Sequence, residues 1–201
     1  MQNKFSLVAC AIAALAGAPD NTQAAVVAGG RLTVIDANID VTLTYLDGGG
    51  AGYTNELLLV SPSNSGVIFN NHIAVPGTSS FNLGQFAAGT ELAFKIASNN
   101  GSVTIDYFTG AAGGNPDGAF HALVDDAFID LFNAGQLRVK VAFEDLPNPV
   151  LGDPGAYTDM VFSINNVAVS AVPLPSSAGM LGLALGGFVG LRARRSATKR
   201  G

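Results

Sequence analysis

Four carboxylates fall within the segment FEDLPNPVLGDPGAYTDMVFSI: Glu144 and Asp145 close one apolar run, Asp153 lies in the connection, and Asp159 opens the next run. Pro147, Pro149, Pro154 and Gly155 turn the connection, so a chain that folds back here brings these side chains toward one another. Carboxylates gathered in one place repel unless something neutralises them. Hard oxygen donors in that number suit Ca2+, which accepts about six to eight oxygens in flexible geometry, better than Zn2+. Glu144, Asp145, Asp153 and Asp159 are therefore the expected metal ligands and Ca2+ the expected cation, with the modest affinity of extracellular sites, about 10⁻⁴ to 10⁻³ M.

The rest of the chain offers little for catalysis. Of the two histidines, His72 stands beside Asn70 and Asn71 in a turn-like stretch, and His121 opens an apolar run as a hydrogen-bonded structural histidine would. No pair of histidines has metal-binding spacing, and no serine sits in a nucleophile-elbow setting. Asp125 and Asp126 form a carboxylate pair of the kind glycosidases use, but fifteen acidic residues supply such pairs by chance. The expectation is a protein that is not an enzyme.

Composition and charge describe what must hold these residues. The 201-residue chain has 48% hydrophobic residues, 12% charged residues and no tryptophan, enough for one core plus processing segments. Lys4, the apolar run FSLVACAIAALAGA and Thr22-Gln23-Ala24 read as a signal peptide over 1–24, cut after Ala24 by signal peptidase. Cys10 follows Leu7-Val8-Ala9 as in a lipoprotein box, yet the apolar run continues past it. Cleavage after Ala24 removes Cys10, the only cysteine, and with it any disulfide chemistry. Setting aside Asp20, Lys4 and the five cations of the tail leaves fourteen acidic against four basic residues, a net charge of about −10 over 25–171. Nucleic acid is excluded as a partner on that ground, and cations are favoured.

Between the ends, alternating or β-branched runs at 32–35, 39–45, 56–60, 66–69, 91–97, 103–108, 137–143 and 160–164 are separated by clusters of Gly, Asn, Ser, Asp and Pro. They predict an all-β fold over 25–171, an antiparallel β-sandwich of jelly-roll-like type. Asn99-Asn100-Gly101 predicts a hairpin with a type I′ turn. The stretch HALVDDAFIDLF at 121–132 fits either a short helix or a strand. The glycine-rich stretches at 48–52 and 110–114 read as flexible loops, since neither has the strand, helix and basic residue of a phosphate site.

The last thirty residues have their own order. Val172, Pro173, Leu174 and Pro175 form an extended, non-helical motif, and an apolar helix is expected at about 177–191. Its uninterrupted apolar part, 178–191, reaches roughly 21 Å against about 30 Å of bilayer hydrocarbon, so it only just spans. Gly182, Gly186 and Gly190 repeat at a helix-approach spacing, and a basic tail over 192–201 follows, where Arg192, Arg194 and Arg195 act as the membrane stop. This order over 172–201 resembles the PEP-CTERM class of sorting signals in its VPLPA form, with Ser176 where that form usually has Ala. The resemblance implies an exported protein of a Gram-negative bacterium. Its helix would hold it in the inner membrane transiently, and an exosortase-type enzyme would then release it to the cell surface or the extracellular space. An ordinary single-pass anchor is the alternative.

The segment from FEDL to YTDMVF resembles a bacterial secreted domain family of unknown function marked by FEDL, a glycine-rich loop and DxDYNDLVF; the stretch AGYTNEL at 51–57 is similar to its opening strands. Tyr157 and Asp159 match, whereas Thr158 and Ala156 replace two oxygen donors of the pattern, and Asp153 matches only after a shift. The expected function is a structural or interaction protein of the cell surface or extracellular matrix. A carbohydrate-binding module with exopolysaccharide as partner is the alternative, its stacking aromatics limited to Tyr45, Tyr53, Tyr107 and Tyr157.

Overall fold

The computed structural model describes residues 26–150 and 156–171. The expected signal peptide at 1–24, the motif at 172–175, the helix expected at about 177–191 and the basic tail lie outside the described residues, as does Asp153. Among the described residues the regular structure is β1 (Val26–Ala28), β2 (Arg31–Val34), β3 (Val41–Asp47), β4 (Thr54–Ser61), β5 (Phe69–Asn70), β6 (Ser80–Gly84), β7 (Glu91–Asn99), β8 (Thr104–Phe108), β9 (Ala122–Asp130), β10 (Gln136–Phe143), β11 (Met160–Ile164) and β12 (Val167–Ser170), with two single 3-10 turns. No helix among them is long and apolar enough to cross a membrane.

The strands form two antiparallel six-stranded sheets. The first has the order β1-β9-β10-β11-β3-β6; the second has β12-β2-β7-β4-β5, with β8 also paired to β7. The fold is all-β and sandwich-like, and period-two alternation explains its core. Strand β7 buries Leu92, Phe94, Ile96 and Ser98 and turns the residues between them outward. In β4 the buried phase is Asn55, Leu57 and Leu59. The first sheet contributes Leu43, Tyr45, Val141, Phe143, Phe162 and Ile164 to the same cluster. Phe94 and Phe162 meet between the sheets with ring centroids 5.3 Å apart. Each such side chain contributes about 1.5–3 kcal/mol by leaving water.

Every run expected as a strand contains one, although 66–69 reduces to Phe69–Asn70. The stretch 121–132 resolves as a strand, β9, followed by a 3-10 turn at Leu131–Asn133. Its alternation is broken because the β9–β10 register shifts between Arg138 and Lys140. Such a bulge moves the residues beyond it to the other face, which erases a clean period of two. Strands β1, β6 and β12 were not among the expected runs: β1 has three residues, β12 has four, and β6 reads SFNLG, half polar and half exposed.

The expected hairpin at 99–101 forms, but not with a two-residue type I′ turn. The last cross-strand pair is Asn99 with Thr104, leaving four residues in the loop, and only Gly101 there has positive φ, +88°. The Asn100 side-chain oxygen accepts from the N–H groups of Ser102 and Val103, and this local cap closes the wider turn.

Candidate metal centre

Strands β10 and β11 are antiparallel neighbours, with Phe143 opposite Met160. The residues just beyond that pair, Glu144 and Asp145 on one side and Asp159 on the other, therefore emerge at the same end of the first sheet. The Asp159 N–H donates to the Phe143 carbonyl at 3.0 Å, and the Glu144 N–H donates to that of His121 at 3.1 Å, extending the ladder into the site. Carboxylate oxygens of Glu144, Asp145 and Asp159 lie within 4.8 Å of one another. Glu144 and Asp145 are buried and Asp159 is half-buried. Three of the four expected ligands are thus brought together.

The cluster is short of positive charge. The four basic residues of the described chain pair elsewhere: Arg31 with Glu91, Lys95 with Asp106, Arg138 with Asp130 and Lys140 with Asp125. Hydrogen bonds relieve the crowding in part, since the Asp145 N–H donates to Asp159 Oδ2 at 2.9 Å and the Leu146 N–H to Glu144 Oε1 at 3.1 Å. Burial, and then the Asp159 charge, push the Glu144 carboxyl up to about 7. Burial likewise lifts Asp145 to about 6, against the donor from Asn55 and with the Asp159 charge adding to the rise. Burial and the neighbouring charge thus favour the protonated forms of Glu144 and Asp145.

Asn55 comes from the other sheet. Its side chain is fully buried, and its Nδ2 donates to Asp145 Oδ2 at 2.7 Å across 90 residues of sequence. Among the described residues its Oδ1 has no hydrogen-bond partner. A buried amide oxygen left so costs about 1–3 kcal/mol. Sequence reasoning took Asn55 only as part of a strand-like stretch. The available signal was its phase, because it stands at the inward position shared with Leu57 and Leu59, where an apolar residue is the default.

His121 is the hydrogen-bonded structural histidine that its position suggested. It is fully buried and stacks on Tyr107 at 3.8 Å between centroids. Its Nδ1 donates to the Glu144 carbonyl at 2.8 Å, while its Nε2 lies 3.0 Å from Asp117 Oδ2. Asp117 also accepts the N–H of Asn148 at 2.7 Å and that of Ala119 at 3.0 Å. Burial works against ionisation of Asp117, but these donors and the His121 ring outweigh it and hold the carboxyl down at about 2. The result is a strap that fixes the chain on both sides of Leu146. The glycine stretch at 48–52 is also more than a flexible loop. Gly49, at φ +54°, packs so close to Thr158, next to Asp159, that a Cβ would stand 2.4 Å from the Thr158 carbonyl oxygen.

The remaining candidates separate from this site. His72 is exposed in a turn, its N–H donated to Asn70 Oδ1. Asp125 faces Lys140 at 3.7 Å. Tyr45, Tyr107 and Tyr157 are each at most 2% exposed, and Tyr53 is half-buried. Comparison with protein-family models, with curated proteins and with solved structures finds no match for this chain.

Proposed function

We propose that this chain is an exported structural or interaction protein of the cell surface or extracellular matrix, its sandwich stiffened by calcium. The observation that carries the reading is the position of Glu144, Asp145 and Asp159: an all-oxygen cluster at adjoining strand ends, two of its three carboxylates buried and the third half-buried. Hard oxygen donors gathered so suit Ca2+. Burial of three of the four tyrosines weighs against the carbohydrate-binding alternative, which needs exposed aromatic faces. The strand order β2-β7-β4-β5 facing β11-β3-β6, in which the chain repeatedly crosses from sheet to sheet, supports a jelly-roll-like winding with β9 and β10 inserted at one side.

The route to the surface is read from the ends: a signal peptide over 1–24 handled by signal peptidase, and a PEP-CTERM-like tail over 172–201 handled by an exosortase-type enzyme after a transient stay in the membrane. Intact mass of the protein recovered from cells tests it. Loss of the helix and the Arg192, Arg194 and Arg195 cluster, with a new terminus near Pro175 or Ser176, is the expected result. A mature chain that ends at Gly201 and stays in the inner membrane identifies an ordinary anchor instead. A glycan array run with and without calcium separates the two functions, since the structural reading expects no calcium-dependent sugar binding.

A further inference from the structure

The geometry points to a fourth protein ligand at this centre, Asn55 Oδ1, which makes the site a calcium clamp between the two sheets. The inference rests on the cation reading of Glu144, Asp145 and Asp159 given above. Those three side chains belong to the first sheet, where they follow β10 and precede β11, whereas Asn55 belongs to β4 of the second. A cation held by all four ties the layers together at one end of the core.

The argument starts from the amide. A carboxylate oxygen accepts only, so the contact with Asp145 Oδ2 at 2.7 Å assigns that side of the Asn55 amide to Nδ2. Oδ1, on the same carbon as the Nδ2 that touches Asp145, has nothing to accept from among the described residues. The side chain is fully buried, so bulk water does not serve it. Packing alone would place an apolar residue at this inward position, and the bond to Asp145 accounts for only half of the amide.

The backbone of Asn55 is held by Asn71 through both its N–H and its carbonyl. Its N–H donates to Asn71 Oδ1 at 2.9 Å, and its carbonyl accepts the Asn71 N–H at 3.1 Å. A donor oxygen fixed in advance loses little freedom on coordination.

Chemistry selects the cation. The donors are three carboxylates and one neutral amide oxygen, a hard set that excludes the preference of Zn2+ for nitrogen and sulfur. The carboxylate oxygens lie within 4.8 Å of one another, close enough to reach one cation together. Mg2+ demands shorter bonds and near-ideal octahedral geometry, which strand ends from two sheets do not readily supply.

The test titrates CaCl2 into the full chain, purified in mild detergent and freed of metal, and reads affinity by calorimetry and bound waters by terbium luminescence lifetime. The unmutated chain is expected to bind one calcium. Asn55→Ala should weaken binding by about tenfold or more and add one coordinated water to bound terbium. Asn55→Asp, which keeps an oxygen in place, should retain binding while melting at a lower temperature than the unmutated chain when metal is absent. This second variant keeps the test decisive if Asn55→Ala does not fold, because loss of calcium binding in a folded Asn55→Asp chain overturns the proposal. Unchanged affinity and water count in Asn55→Ala also overturn it and leave the three-carboxylate centre standing. Absence of calcium binding by the unmutated chain removes the centre and the clamp together.

Discussion

The first sheet carries two buried acidic sites built in opposite ways. On its outer face Asp130 is fully buried under the 3-10 turn at Leu131–Asn133. Ser163 Oγ donates to it in a short hydrogen bond, Asn133 Nδ2 donates at 2.7 Å, and the N–H groups of Phe132 and Asn133 donate to its other oxygen. Arg138 Nε lies 3.5 Å away, outside hydrogen-bonding geometry, while its guanidinium donates to the Thr42 carbonyl at 2.6 Å. Burial opposes the Asp130 charge, yet these donors hold the carboxyl below its ordinary range. At the strand ends, burial and mutual repulsion lift Glu144 and Asp145 instead. One aspartate draws its donors from its own chain; the trio draws fewer, and on the proposed reading an ion offsets its charge. Burial does not separate the two sites, since both are buried. The supply of donors does.

Breaking the satisfied site should have the largest effect. Asp130→Ala leaves Arg138 buried without its countercharge, and chemical denaturation should show a loss of about 3–5 kcal/mol, equal with and without calcium. A calcium-dependent loss would mean that the two sites are coupled. The trio should respond in the contrary sense. At calcium about a hundred times the dissociation constant the unmutated chain should gain about 2.7 kcal/mol, a rise of several degrees in melting temperature. Asp159→Asn should lose nearly all of that rise and melt no lower than the unmutated chain in chelator, because it removes repulsion. Asp159→Ala should likewise lose it. Coincident melting curves of the unmutated chain with calcium and with chelator would show carboxylates that need no ion.

Acidity sharpens the contrast further. Glu144 and Asp145 have folded-state values raised to about 7 and about 6, so between roughly pH 4 and 7 the folded chain binds more protons than the unfolded one. Stability of the metal-free chain from these two groups should therefore rise as pH falls from about 7 toward 5 and be lost as pH climbs. Saturating calcium should flatten that trend, because the ion competes with the protons. Asp117 has the opposite sign: its depressed value, about 2, gives stability that is present above the unfolded value and lost as pH falls toward 2. The smallest expected effect is that of Asp117→Asn, which should cost about 1 kcal/mol and leave calcium affinity within a few-fold, measured by the same titrations. A large loss of affinity would show that the strap through His121 to the Glu144 carbonyl sets the ligand geometry.

Much of this was legible along the chain because its causes are local. Alternation in β4, β7 and β10 follows from side chains that point to opposite faces every residue, so the strands could be read from residue types alone. The meeting of Glu144 and Asp145 with Asp159 was also legible, since consecutive antiparallel strands must place the end of one beside the start of the next. The fourth expected ligand, Asp153, belongs to the connection and lies outside the described residues. Strand β9 was ambiguous because a bulge is a property of a pair of strands, and its shift of Asp130 to the outer face exists only against β10. The contact of Asn55 with Asp145 was decided still further from the sequence. It joins residues 90 apart on different sheets, and although alternation with Leu57 and Leu59 marks Asn55 as inward, nothing local says which residue of the other sheet it meets. Strand identity comes from periodicity, which each segment carries by itself. The set of oxygens around the acidic trio comes from how two sheets stack, which no single segment contains.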